Sequence, residues 1–103
     1  LKRVDSSEKK HIICANEGHA ISIAFGMMMT GITPCVYLQN SGLGNIINPL
    51  TSLCLPCNVQ PLLVIGHRHT LPQHKIMGDV DRKLMEIIGY ENYFLVEGSN
   101  NVK

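Results

Sequence analysis

Charge of one sign is scarce in this sequence. Nine Lys and Arg stand against eight Asp and Glu, a formal net charge of +1. A balance so near zero gives no electrostatic reason to expect nucleic acid or an acidic membrane as partner. No apolar run reaches the roughly 20 residues of a membrane span. The opening stretch, "LKRVDSSEKK", is polar and lacks the apolar core of a signal peptide. It also starts on Leu1, so a piece of a longer chain is expected. Internal repeats and low-complexity segments are absent. Cysteines are few: Cys14, Cys35, Cys54 and Cys57 sit mostly in apolar runs. They read as reduced core residues of an intracellular, cytoplasmic protein, not as a disulfide framework.

What is present is ordinary for a soluble domain. The chain is 45% hydrophobic and 17% charged, which argues against disorder. Its 103 residues suffice for one small domain with a modest core.

Strand-like and helix-like stretches alternate. "HIICA" (His11–Ala15) is short, apolar and partly β-branched, and is expected to be a buried strand. A helix is expected next, with Asn16 as cap, Glu17 in its first turn and Gly31 as its stop. Its apolar stripe is Ala20, Ile23, Ala24, Met27 and Met28. Gly26 inside it points to close packing. "TPCVYLQ" (Thr33–Gln39) is a second strand, and a helix from about Ile46 to Leu55 follows a glycine turn, with Asn45 as its cap. "PLLVIG" (Pro61–Gly66) has the continuous apolar character of a central parallel strand. After a polar loop, "DVDRKLMEIIGY" is an amphipathic helix capped by Asp79, with Val80, Leu84, Ile87 and Ile88 inward and Gly89 as its stop. "YFLVEG" (Tyr93–Gly98) is a last strand. The alternation predicts a three-layer α/β/α fold around a mainly parallel sheet. Ligands of such sheets gather at the carboxyl ends of the strands. Three polar stretches fall there: "NEG", "NSGLGN" and "HRHTLPQH".

Each stretch has a sharp and a plain reading. Gly42-Leu43-Gly44 before a helix start can cradle an anion. It lacks the third glycine of the dinucleotide fingerprint and the Gly-Lys-Ser/Thr of the P-loop. The plain reading is a tight strand-to-helix turn. Cys54-Leu55-Pro56-Cys57 with His67 and His69 has the ligand types of a zinc site, but the CxxC closes a helix where a redox pair opens one. "GDV" at Gly78 and "NN" at Asn100–Asn101 imitate a magnesium-diphosphate motif. Val80 stands where a glycine belongs and the spacer is short, so that reading is rejected. Glu17 alone reads as a surface carboxylate.

In company Glu17 reads differently. "HIICANEGHAISIAFGMMMTG" followed by "VYLQNSGLGNIINPLTSL" resembles the pyrimidine-binding domain of thiamine-diphosphate-dependent decarboxylases. Within them the chain is most similar to phosphonopyruvate decarboxylases, and next to sulfopyruvate decarboxylase alpha subunits. "PLLVIGHR", "PQH" and "LMEIIGY" fit in order, so the likeness runs from about His11 to Leu95. It divides the chain into a polar segment 1–10, a pyrimidine-domain portion 11–98 and a flexible tail 99–103. There are departures. His69 replaces a glycine in a shortened loop, "CLPCNVQP" is shorter than usual, and the family's first strand with its Gly-Val-Pro signature is absent. So is the diphosphate-binding domain with its magnesium motif.

The resemblance implies a carboxy-lyase of phosphonate biosynthesis that converts 3-phosphonopyruvate, a small 2-oxo acid, to phosphonoacetaldehyde and CO2. The alternative is the alpha subunit of a sulfopyruvate decarboxylase, or a non-catalytic pyrimidine-like or zinc-binding module. The implied cofactors are thiamine diphosphate and Mg2+, the latter held mainly by the missing domain. The implied partner is a diphosphate-binding domain or subunit in a homo-oligomer, so this chain alone is expected to be inactive. By residue, Glu17 matches the catalytic acid that hydrogen-bonds the cofactor's pyrimidine ring. Asn40, Ser41, Gly42, Leu43 and Gly44 match the segment beside that ring. Asn40, Asn45, Arg68 and His74 match positions facing the substrate, where an arginine suits a phosphonate or sulfonate by bidentate hydrogen bonding.

Overall fold

The structure, a computed structural model, describes residues 11–97. The polar segment 1–10, the tail and the Asn100–Asn101 pair lie outside the described residues. Helix α1 (Glu17–Met29) leads to strand β1 (Cys35–Gln39). An irregular helical segment follows, from Asn40 to Cys54. Then come β2 (Leu62–His67), helix α3 (Pro72–Ile88) and β3 (Tyr93–Glu97). The strands form one parallel sheet in the order β1-β2-β3, so their carboxyl ends share one edge. The central place of β2 follows from its apolar run, because a strand with neighbours on both sides has no edge to protect.

Register places Val36 beside Leu63 and Leu38 beside Ile65 on one sheet face. These four are buried in a single core with Ile21 and Ala24 of α1, Leu43, Ile46, Leu50 and Cys54 of the irregular segment, and Met85 of α3. The opposite face carries Tyr37, Val64 and Phe94 in one row, and Phe94 is 62% exposed. The described residues thus supply the sheet and the helical layer on one side of it. The amino ends of β2 and β3 are tied together by Gln60. Its Oε1 accepts from the backbone of Glu91 and Asn92. Buried Tyr90 donates from its hydroxyl to the Pro61 carbonyl, and burial, with Cys54 nearby, pushes that phenol's pKa up.

Several local expectations are corrected. "HIICA" is not a strand: residues 11–14 have no regular structure and Ile13 is 86% exposed. A strand exists only with a ladder partner, and between this segment and β1 lies a groove of about 1020 Å³. Ile23 and Met27 of α1 line that groove, while the helix buries Ile21 and Ala24 in the core. Gly26 faces open space, so close packing does not explain it.

The segment expected to be a helix from Ile46 is broken into a 3-10 stretch (Asn40–Asn45), one α turn (α2, Ile47–Pro49) and one π turn (Leu50–Cys54). Pro49 has no N–H to give the Asn45 carbonyl. Further on, the ladder widens, with Leu55 N–H reaching Leu50 O at 2.9 Å.

Helix α3 starts at Pro72, not Asp79. Proline at the first helical position is preorganised and loses no hydrogen bond. Asp79 therefore caps nothing. It is mid-helix, accepting from Lys75 Nζ at 3.1 Å and pairing with His69 Nε2 at 2.7 Å. The hydrogen bond from His69, then that from Lys75, hold its carboxyl pKa below the ordinary value. The inward stripe of α3 is also displaced by one position. Asp81 and Met85 are buried with Met77 and Ile88 against the core, while Ile87 is 81% exposed. Gly89 does stop the helix, in the left-handed conformation expected of a terminating glycine.

Gly78 fixes how α3 meets the loop after β2. A Cβ there would lie 2.7 Å from the Arg68 carbonyl and 2.9 Å from His69 Cβ. The carbonyl is backbone and cannot step aside cheaply. Gly78→Ala is expected to cost about 1–3 kcal/mol, read as a drop in Tm of about 4–8 °C per kcal/mol. An unchanged melting curve would show that α3 is not seated this closely.

Candidate functional site

The three polar stretches meet at the carboxyl edge of the sheet. Asn16 caps α1 as expected, accepting from His19 N–H at 2.9 Å. The cap starts the helix at Glu17, so the carboxylate leaves from the first turn, where the helix dipole favours negative charge. Its side chain runs to the loop after β1. Asn45 Nδ2 donates to Glu17 Oε1 at 2.9 Å across 28 residues of sequence. Gly42 lies against the same carboxyl group: a Cβ on Gly42 would come within 2.5 Å of Glu17 Cδ and Oε2. The loop's first glycine thus makes room for the acid.

The other expected residues divide. Asn40 is fully buried, with its side chain turned into the fold. Nδ2 donates to the Arg68 carbonyl and to Asp81 Oδ2, both at 3.0 Å. That orientation is fixed, because both partners are acceptors. Oδ1 is left buried without a hydrogen bond, as is Gln39 Oε1. Leu43 is in the core, so only its backbone is free to meet a ligand. Ser41, Gly44 and Asn45 are exposed on the outer side of the loop. Arg68 is half-buried just beyond β2, with its carbonyl held by Asn40. His74 lies in the first turn of α3, half-buried. The structure joins Glu17, Gly42 and Asn45 in one contact, and Asn40 and Arg68 in another. No described hydrogen bond joins His74 to either.

Sequence reasoning missed Asp81. Its carboxylate takes Asn40 Nδ2, His67 Nδ1 at 2.6 Å and the Arg82 backbone N–H at 2.7 Å. The spacing Met77, Asp81, Met85, Ile88 was the available signal: it is a helical stripe with a carboxylate in its middle.

The cysteine and histidine candidates do not converge. His67 pairs with Asp81 and His69 with Asp79. Cys54 is buried, and burial followed by the nearby Cys57 raises its thiol pKa, the opposite of a reactive thiol. Among the described residues no group of three or more His, Cys, Asp or Glu is arranged to hold a metal ion. No helix among them is long and apolar enough to cross a membrane.

No family model matches the chain. Similar proteins do. Phosphonopyruvate decarboxylase of Streptomyces viridochromogenes is 33% identical over 87 residues, which is 80% of this chain and 22% of that protein. That of Streptomyces hygroscopicus is 34% identical over the same shares. The alpha subunit of sulfopyruvate decarboxylase from Methanococcus maripaludis is 34% identical over 89 residues, 82% of this chain and 53% of that subunit. The chain therefore spans about a fifth of the first two proteins and about half of the third.

Proposed function

We propose that this chain, a homologue of phosphonopyruvate decarboxylases and sulfopyruvate decarboxylase alpha subunits over four fifths of its length, supplies the pyrimidine-side half of a thiamine-diphosphate-dependent 2-oxo acid decarboxylase. The observation that carries the reading is the contact of Glu17 with Gly42 and Asn45. An acid and a glycine loop that the resemblance assigns to one ring are packed together although distant in sequence. The residues present fit the group: a half-buried carboxyl group stands beside a loop whose Ser41 and Gly44 are exposed, and nothing lies within 4 Å of where a Cβ of Gly44 would be.

Thiamine diphosphate, when bound, supplies the electron sink that lets the bond to the substrate carboxylate break. The chain's own part is to place and tune it. Glu17 shares its carboxyl proton with the ring nitrogen, and Asn45 steers Glu17 by donating to Oε1. Ser41 and Gly44 flank the ring from the exposed side of the loop. Arg68 and His74, with Asn45, present donors to the acid end of 3-phosphonopyruvate, or of sulfopyruvate in the second reading. Asn40, being inside the fold, serves by holding the loop to β2. Mg2+ belongs mainly to the diphosphate-binding partner of this cytoplasmic enzyme.

The complete protein or two-subunit assembly containing this chain, given thiamine diphosphate and Mg2+, is expected to release CO2 from 3-phosphonopyruvate faster than from sulfopyruvate. Preference for sulfopyruvate would favour the second reading, and no release from either would overturn both. The open sheet face bears on the partner. With Tyr37, Phe94 and Val96 exposed on it, the 103-residue chain by itself is expected to self-associate in sedimentation velocity as concentration rises. A clean monomer at high concentration would contradict this.

A further inference from the structure

Beyond the contact of Glu17 with its loop, the chain holds a carboxylate inside its core. The Asp81 side chain is only 3% exposed. Such a group is costly unless donors surround it. Here they do. Asn40 Nδ2 and His67 Nδ1 both meet Oδ2, and the Arg82 N–H meets Oδ1. With donors on both oxygens, the shared proton of the 2.6 Å contact belongs to His67 Nδ1. That commits one ring nitrogen and leaves Nε2 as the second, on a side chain 28% exposed at the carboxyl end of β2. A carboxylate on Nδ1 fixes both tautomer and ring orientation. Oδ2 also holds Asn40, the first residue of the loop that touches Glu17. The pair is thus one side chain away from that loop.

Decarboxylation of a 2-oxo acid to an aldehyde consumes a proton. The bond between carboxylate and carbonyl carbon breaks, CO2 leaves, the electron pair stays on the remaining fragment, and a C–H bond forms there. We propose that His67 supplies this proton through Nε2, and that Asp81, with Asn40, is the residue that positions it. The inference rests on the decarboxylase reading above. The imidazolium gives up its Nε2 proton, becomes neutral with Nδ1–H still on Asp81, and is recharged from water that reaches its partly exposed side chain. Other titratable groups face it too. His69 stacks on the ring with centroids 6.0 Å apart and is itself held by Asp79. Glu97 is its register partner on β3, and Arg68 follows it in the chain.

The test uses the complete enzyme. His67→Gln is expected to lower kcat by about 10²-fold or more with little change in KM. It is also expected to remove the fall of kcat at high pH, since a donor works only while protonated. Asp81→Asn should lower kcat similarly. In 15N NMR, neutral His67 should carry its proton on Nδ1 in the wild type and populate both tautomers in Asp81→Asn. Should Asp81→Asn fail to fold, His67→Gln carries the kinetic test alone, its side chain being partly exposed. A His67→Gln enzyme with undiminished kcat and an intact alkaline limb overturns the proposal, as does a wild-type spectrum with the proton on Nε2. A wild-type enzyme silent on both 2-oxo acids sinks the decarboxylase reading and this role with it. The NMR spectrum then still decides whether Asp81 sets the tautomer.

Discussion

Glu17→Gln in the complete enzyme is expected to lower kcat for CO2 release by about 10²- to 10⁴-fold, the range of a positioned proton-transfer group, while the melting temperature stays put. The two halves of this result have separate causes. Gln has nearly the size of Glu, and its Oε1 still accepts from Asn45 Nδ2, so the contact of α1 with the loop survives. Substitutions that keep shape and partner at a partly exposed site are usually within ±0.5 kcal/mol. An amide does not exchange a proton at neutral pH, so the acid–base role proposed for the carboxyl group would be lost outright. Steady-state kinetics with a parallel thermal melt separates the two. Undiminished turnover would remove Glu17 from the mechanism, and a collapsed melt would mean that the carboxylate serves the fold.

Gly42→Ala should reach a similar loss by displacement. The new Cβ would overlap Glu17 Cδ, Oε2 and Cγ, all within 2.6 Å. These atoms belong to the far end of a flexible side chain held by Asn45, so the acid swings away at a stability cost of about 1 kcal/mol. A misplacement of about 1 Å at a reacting group costs on the order of 10²-fold in rate. The contrast with Gly78→Ala is the informative part. Both positions would clash, but at Gly78 the obstacle includes the Arg68 carbonyl, which is backbone. One glycine is expected to matter for rate and the other for Tm. If Gly42→Ala instead melts early and keeps its kcat, the loop's glycine is there for the turn and not for the acid.

Where the fold was legible in the sequence, the determining chemistry was local. Asn16 caps α1, Gly89 ends α3, and the unbroken apolar run of β2 marks a strand with two neighbours. Where it was not, a distant partner decided. "HIICA" has the composition of a strand, yet a ladder needs a neighbour, and on the side of β1 facing it there is a groove. Asp79 looked like a cap because it begins an apolar pattern, but Pro72 nucleates the helix two turns earlier. Asp81 fell outside the inward stripe read from the sequence, Val80, Leu84, Ile87 and Ile88. Its buried carboxylate is met by donors on His67 and Asn40, 14 and 41 residues away, and Ile87 faces out. At the site, that Glu17 and the glycine loop border one ring was expected from resemblance alone, since nothing in the spacing of "NEG" and "NSGLGN" brings them together; the hydrogen bond from Asn45 to Glu17 was not foreseen. The inward turn of Asn40 was not foreseen, because its two acceptors lie beyond β1, on β2's exit and on α3.

The central claim is that Glu17 and its glycine loop together hold one face of the cofactor's pyrimidine ring. The most direct measurement is a crystal structure of the complete protein with thiamine diphosphate and Mg2+ bound. A Glu17 carboxyl oxygen is expected within about 2.6–3.2 Å of a pyrimidine ring nitrogen, with the ring beside the loop of Gly42. A ring bound elsewhere, or bound here with Glu17 turned away from it, would contradict the account.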